Sequence, residues 1–362
     1  MLFAFPVFQD DKNWLNSTLV DVLRAGMHAI DEGEAPVVWP DCLPDHLRPI
    51  LRNRSGLRNR IADFWPAYQA LDADQKLRLR QAIDDQTNLP DIFGLPRNCE
   101  TIVGLPDPVV EAAGQLFDFA FKQLKTLKLD GECIRDIQYK AIYDQLQEKI
   151  CPFCGLNHFR APGAPRHALD HYLPASRYTF AGSDFRNLVP CCHECNSDFK
   201  MDQDLLFRDD GTRRQCSDPY MGPVYTVSLQ GSRLFEGETV NRHRVPLWVI
   251  EFVGGPVAHA QTWDEVYKVK ERFVRDILNV CFIPWVEDFA RYYVQHFGKA
   301  DEVDEVYHSL PDYIAGLGLD HLRERAFLKT EVLRLIYNSC NGGENAEAAR
   351  IWLWEFVEYG VT

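Results

Sequence analysis

Two pairs of cysteines, Cys151-Pro152-Phe153-Cys154 and Cys192-His193-Glu194-Cys195, bracket the chemically richest stretch of the chain. Each C-x-x-C knuckle presents two thiolates to one tetrahedral ion, and four thiolates leave zinc no open position for water. The expected metal is therefore a structural Zn2+, stapling a loop-rich segment that has little core of its own. Cys191 competes with Cys192, but pairing it with Cys195 would make the knuckle C-x-x-x-C, so Cys192 is preferred. His158 and His193 stand within reach as substitute ligands and are read instead as surface or hairpin residues. The stretch from Cys154 to Cys192 exceeds the span of an ordinary zinc ribbon, so something folded should sit inside it.

Inside it lie Asp170-His171-Tyr172-Leu173-Pro174 and then Asn187-Leu188, while Asn196 directly follows the last cysteine and Lys200 comes soon after. Asp170 and the amide oxygen of Asn196 are hard ligands of the kind Mg2+ or Mn2+ takes while keeping several waters and binding phosphate oxygens. His171, with an unperturbed pKa of about 6.5, is mostly neutral at physiological pH and can accept a proton from water attacking phosphorus. These roles together describe a one-metal phosphodiesterase.

The order C-x-x-C, Asp-His-x-x-Pro, Asn-Leu, C-x-x-C-Asn and a following Lys resembles the HNH endonucleases. That resemblance implies a ββα-metal core, with His171 as general base, Asp170 and Asn196 as ligands of the catalytic cation, and Asn187 as the residue holding the hairpin loop through backbone hydrogen bonds. Many members carry His where Asn196 stands, which bears on metal preference. The resemblance covers roughly residues 131–215. More loosely, the flanked arrangement and the phrases Asn187-Leu188-Val189-Pro190 and Asp218-Pro219-Tyr220 resemble the HNH subunit of Septu-type anti-phage systems, which implies a sensor or ATPase subunit as partner.

Charge qualifies that expectation. Thirty-nine basic residues against 53 acidic ones leave a net charge of −14, so the whole protein repels a polyanion and any DNA contact must be local. Arg48, Arg52, Arg54, Arg58 and Arg60 fall in a run without an acid, the best phosphate track, which can equally be a solvated or partner-binding face. Arg166, Arg177, Arg186 and Lys200 are close enough to the motif to clamp a scissile strand. Basic and acidic residues balance over Cys151–Gln215, which argues for a partner that recruits DNA. A second basic group, Lys268, Lys270, Arg272 and Arg275, is diluted by acids and reads as a plain exposed face. His167 reads as structural.

The elements that must position these residues follow from periodicity. Apolar residues at helical spacing predict helices over Trp14–Asp31, Leu57–Ala70, Ala73–Asp85, Pro108–Leu127 and Ile134–Lys149. Strands are expected at Val224–Leu229, Arg233–Phe235 and Val245–Val253. Thr262 and Glu265 have the form of a capping box opening a helix that Pro284 should end or kink, with later helices at Trp285–Phe297, Asp320–Tyr337 and Ala346–Tyr359. The expected architecture is an α-rich α+β chain: a helical N-terminal domain (1–130), a zinc-stapled HNH nuclease domain (131–215) and a C-terminal domain of strands followed by helices (216–362). Eleven cysteines without a readable export signal point to a reducing cytoplasm, and no apolar run is long enough for a membrane span. The functional expectation is a partner-gated DNA endonuclease of anti-phage defence. The alternatives are a non-catalytic zinc-stapled binding module and an autonomous restriction enzyme.

Overall fold

The computed structural model describes residues 1–6, 10–94, 97–129, 131–164, 169–240, 242–318 and 325–360. Helices α1 (Trp14–Asp31), α2 (Arg48–Leu51), α3 (Ser55–Gln69), α4 (Ala73–Gln86), α5 (Leu89–Gly94), α6 (Asp107–Gln123) and α7 (Ile134–Gln145) make up most of the first part. Their cause is local: Leu15, Leu19, Leu23 and Met27 line one buried stripe of α1, and Leu57, Ile61, Phe64 and Tyr68 one of α3. Asp72 caps α4 by accepting from the Gln75 amide at 2.9 Å, with the Gln75 side chain returning the bond. Helices α3 and α6 approach so closely that a side chain on Gly56 would collide with the Phe119 ring. Between α6 and α7 a short ribbon pairs β1 (Lys128–Leu129) with β2 (Glu132–Cys133).

The centre of the chain forms an antiparallel hairpin of β3 (Leu169–His171) and β4 (Leu188–Pro190), in the register Asp170↔Val189 and His171↔Leu188, followed by a wide-turn helix, Glu194–Lys200. Beyond it β5 (Thr226–Ser228) pairs with β8 (Glu251–Val253), and β6 (Thr239–Val240) with β7 (His243–Arg244). Then come α8 (Val257–Tyr267), α9 (Val269–Arg272), a π-helical stretch (Phe273–Leu278), α10 (Asn279–Phe297), α11 (Val303–His308), α12 (Leu310–Gly318), α13 (Ala326–Asn341) and α14 (Ala346–Tyr359). The protein is helix-rich with small two-stranded sheets. No helix among the described residues is long and apolar enough to cross a membrane.

Several expectations shift. The helix expected to open at Thr262 starts at Val257, so Thr262 is a buried mid-helix residue and not a cap. Lys268, in left-handed geometry (φ 51, ψ 42), breaks that helix before Val269. Pro284 lies inside α10 and does not end it. Arg233 forms only an isolated bridge to Leu247, and α7 stops at Gln145, with Glu148 and Lys149 at positive φ just after.

Buried side chains form two clusters. One gathers α1, α3, α4 and α6, and takes in Leu169, Phe180, Phe185 and Leu188 from the hairpin and its loop. The other joins the chain start (Leu2, Phe5), the cysteine knuckles and the C-terminal helices, and takes in Tyr172, Leu173, Tyr178 and Val189. Because strand residues alternate sides, one hairpin serves both cores.

Candidate metal centre and adjoining hairpin

Cys151, Cys154, Cys192 and Cys195 are all buried, with their sulfurs within 4.8 Å of one another. Zinc with Zn–S bonds of about 2.3 Å sets tetrahedral sulfurs about 3.8 Å apart, and Cys154 Sγ and Cys192 Sγ stand at 3.8 Å. The donor set therefore fits a zinc-type ion. Cys192, not Cys191, completes the cluster, and Cys191 is buried beside it. Neither His158, whose Nδ1 lies 3.1 Å from the Glu148 carbonyl, nor exposed His193 belongs to it.

Donors surround the sulfurs. The Leu156 amide points at Cys154 Sγ (3.4 Å), Asn157 Nδ2 at Cys192 Sγ (3.6 Å) and Arg272 Nη1 at Cys195 Sγ (3.1 Å). Hydrogen bonds from the neighbouring thiols, Cys151 first, hold Cys195 well below the ordinary thiol range. Burial opposes the charge on Arg272, yet Cys195 and its neighbours keep the guanidinium firmly protonated. Arg272 is only 2% exposed and lies over the Phe199 ring at 4.5 Å. The exposed-face reading of Arg272 is thus overturned. Nothing in the sequence spacing ties it to a cysteine 77 positions away.

The hairpin carries the remaining chemistry. Asn187 is fully buried: its Oδ1 accepts from the Leu173 amide at 2.7 Å, and its Nδ2 donates to Leu173 O (2.9 Å) and Ala181 O (3.2 Å). It staples the loop between the strands. The N-terminal helices hold the same loop from outside. Asn13 pairs with Asp184 (2.9 Å) and accepts from the Phe185 amide (2.9 Å), Ser183 donates to Asn16 (2.7 Å), and Gln86 accepts from the Phe180 amide (2.9 Å). That loop aims the Gly182 carbonyl at His171 Nε2, 2.8 Å away. A carbonyl only accepts, so Nε2 carries the proton and Nδ1 keeps its lone pair. The ring lies against Phe121 of α6, with centroids 4.6 Å apart, and burial lowers its pKa from the ordinary histidine value.

Asp170, on the other face of β3, is 6% exposed and meets Lys200 Nζ at 3.3–3.4 Å from its two oxygens. Burial pushes its carboxyl up to about 6 against the opposing pull of Lys200. Lys200 itself is 1% exposed, so it is not the surface clamp its sequence position suggested; the helix turns it inward onto a buried carboxylate. Asp170 Oδ2 has no hydrogen-bond donor, and the half-buried Asn196, on the same helix as Lys200, makes no side-chain hydrogen bond among the described residues. A carboxylate oxygen that meets Lys200 as an ion pair without a hydrogen bond, together with the Asn196 amide, is a donor set that a hard cation accepts, with Lys200 as its competitor for Asp170.

The other basic residues divide. Half-exposed Arg177 reaches Asp204 at 3.4 Å, and Arg186 lies 4.0 Å from Asp218. Arg52 and Arg58 are exposed, while Arg54 donates to Gln123 of α6 at 3.2 Å. Arg166 and His167 lie outside the described residues.

Fold and site define a helix-rich protein in which a buried four-cysteine cluster that could hold a metal ion adjoins a β-hairpin and a short helix. No family model, curated protein or solved structure matches the chain.

Proposed function

We propose that this protein is a metal-dependent endonuclease of the HNH kind, hydrolysing DNA phosphodiester bonds. The observation that carries the reading is the hairpin stapled by Asn187, on which the Gly182 carbonyl locks His171 with Nδ1 as its base atom. His171 Nδ1 takes a proton from water as the water oxygen bonds to phosphorus; the bond from phosphorus to the 3′ oxygen breaks, and that oxygen is protonated from solvent. Burial keeps the imidazole neutral and ready to accept. A Mg2+ or Mn2+ ion on Asp170 and Asn196 would supply Lewis-acid stabilisation of the phosphoryl and leaving oxygens.

The context reading is a cytoplasmic effector of bacterial anti-phage defence gated by a partner such as a sensor or ATPase subunit. It is supported by the net charge of −14, which opposes unaided binding to DNA, and by the many helices outside the hairpin unit. One observation favours a second reading, a non-catalytic binding module: the Lys200 ammonium already neutralises Asp170.

Plasmid cleavage with Mg2+ or Mn2+, comparing the parent with His171→Ala at equal measured zinc content, separates the two. Cleavage by the parent alone is expected. Equal cleavage by both would remove His171 from the chemistry, and no cleavage by a zinc-loaded parent supplied with its partner would leave the binding module.

A further inference from the structure

Helix α6 touches two things with two adjacent sides. Phe119 and Gln123, one turn apart, face α3: the Arg60 guanidinium lies 4.1 Å over the Phe119 ring, and Gln123 Oε1 accepts from Arg54 Nη1 at 3.2 Å and from Thr126 Oγ1 at 3.3 Å. Phe121 faces the other way, onto the His171 ring. At helical spacing Lys122 falls on the ridge between those two sides, and the exposed Lys125 continues it in the turn that follows. Arg54 and Arg60 are thus held by an amide and an aromatic ring rather than by carboxylates, so their charge is fixed in place and not neutralised. Lys125 has no acidic partner among the described residues, and Lys122 has only the exposed Asp118, at 2.6 Å. On a protein of net charge −14 this gathers four cations about the carboxylate of Asp118.

We propose that this ridge, built by Arg54, Arg60, Lys122 and Lys125, seats the sugar-phosphate backbone of duplex DNA and leads the strand to His171. Lys125 stands four residues after Phe121 in the chain, at most about 14 Å away, or roughly four nucleotides at about 3.4 Å per step. A phosphate on Lys125 therefore lies within a few nucleotides of the one at the hairpin. The ridge reads backbone and not bases, because its two aromatic rings are already engaged by Arg60 and His171 and offer no face for stacking. Arg334 of α13, exposed and paired with Glu331, has no part in it. The inference deepens the nuclease reading and rests on it for the direction in which the strand runs.

The test is the affinity of a fluorescent mixed-sequence DNA duplex for the full chain carrying His171→Ala, measured against NaCl concentration. Two phosphate contacts contribute roughly 2 to the slope of log affinity against log salt. Lys122→Gln/Lys125→Gln should therefore lower the slope by about that amount, with the fold verified by circular dichroism, while Arg334→Gln leaves it unchanged. An unchanged slope in the double variant, an equal effect of Arg334→Gln, or tighter lysine-dependent binding to an RNA duplex or anionic vesicles overturns the proposal. Lysine-dependent DNA binding without any His171-dependent cleavage sinks the nuclease and keeps the ridge. His171-dependent cleavage with an unaltered slope does the reverse.

Discussion

Replacing Arg272 with Met removes a buried charge from the metal centre while keeping most of the side chain's volume, and its cost can be worked from the geometry. Zinc on four thiolates leaves a net of about two negative charges. Arg272 Nη1 stands 3.1 Å from Cys195 Sγ. At roughly 5 Å from the centre of that charge and an effective dielectric of about 20, the gross attraction is about 7 kcal/mol. Burying a guanidinium costs several kcal/mol in turn, so most of that attraction is offset. The remainder is about 1.4 to 2.8 kcal/mol, the 10- to 100-fold loss of metal affinity typical of a lost partner to a metal ligand. Competition with a chromophoric chelator measures zinc affinity directly, and circular dichroism shows whether the fold survives. Arg272→Lys keeps the charge but loses the planar fork, and should fall between parent and Arg272→Met. Zinc affinity within twofold of the parent in a folded Arg272→Met protein would refute the argument, and with it the view that α9 of the C-terminal helices belongs to the metal centre.

Asn187→Ala strands the Leu173 amide and two carbonyls in a fully buried site, so urea unfolding should show a loss of roughly 2 to 4 kcal/mol; a loss below 1 kcal/mol would mean the loop is held by its outer contacts alone. Glu265 bridges Arg208 (2.9 Å) and Arg214 (3.4 Å), tying the segment after the metal-binding helix to α8. Its hydrogen bond to Arg208 depresses its pKa below the ordinary 4.5, so its stabilisation is present above pH 4.5 and fades as pH falls through the folded value. The pair is partly exposed, so Glu265→Gln should cost roughly 0.5 to 1 kcal/mol at neutral pH, with the difference from the parent closing below pH 4.5; a difference that persists in acid would assign the effect to packing.

Whatever depends on local spacing was readable along the chain. The apolar stripe of α1 gives bounds of Trp14 to Asp31, and α14 runs from Ala346 to Tyr359, as helical periodicity predicts. The cysteine knuckles come together because two short turns each bring two thiols to one point, and the order Asp-His, Asn, Cys-Asn places the strands and helix in the right succession. Thr262 shows the limit of such reading: a capping-box pattern is satisfied equally well by a mid-helix threonine when the apolar face continues upstream.

Burial and partnership across long separations lay beyond reach. Lys200 and Arg272 look in sequence like surface cations, and each is buried because a negative partner, Asp170 or the thiolate cluster, waits where two cores close. His171 is lowered by its burial beside Phe121, and its tautomer is set by a Gly182 carbonyl that the N-terminal helices hold in place. Residue type and spacing therefore sufficed to name the four cysteines that cluster. The dielectric around them, and the charges facing them, arise only when distant segments pack, because electrostatic energy depends on distance in space and not on distance along the chain.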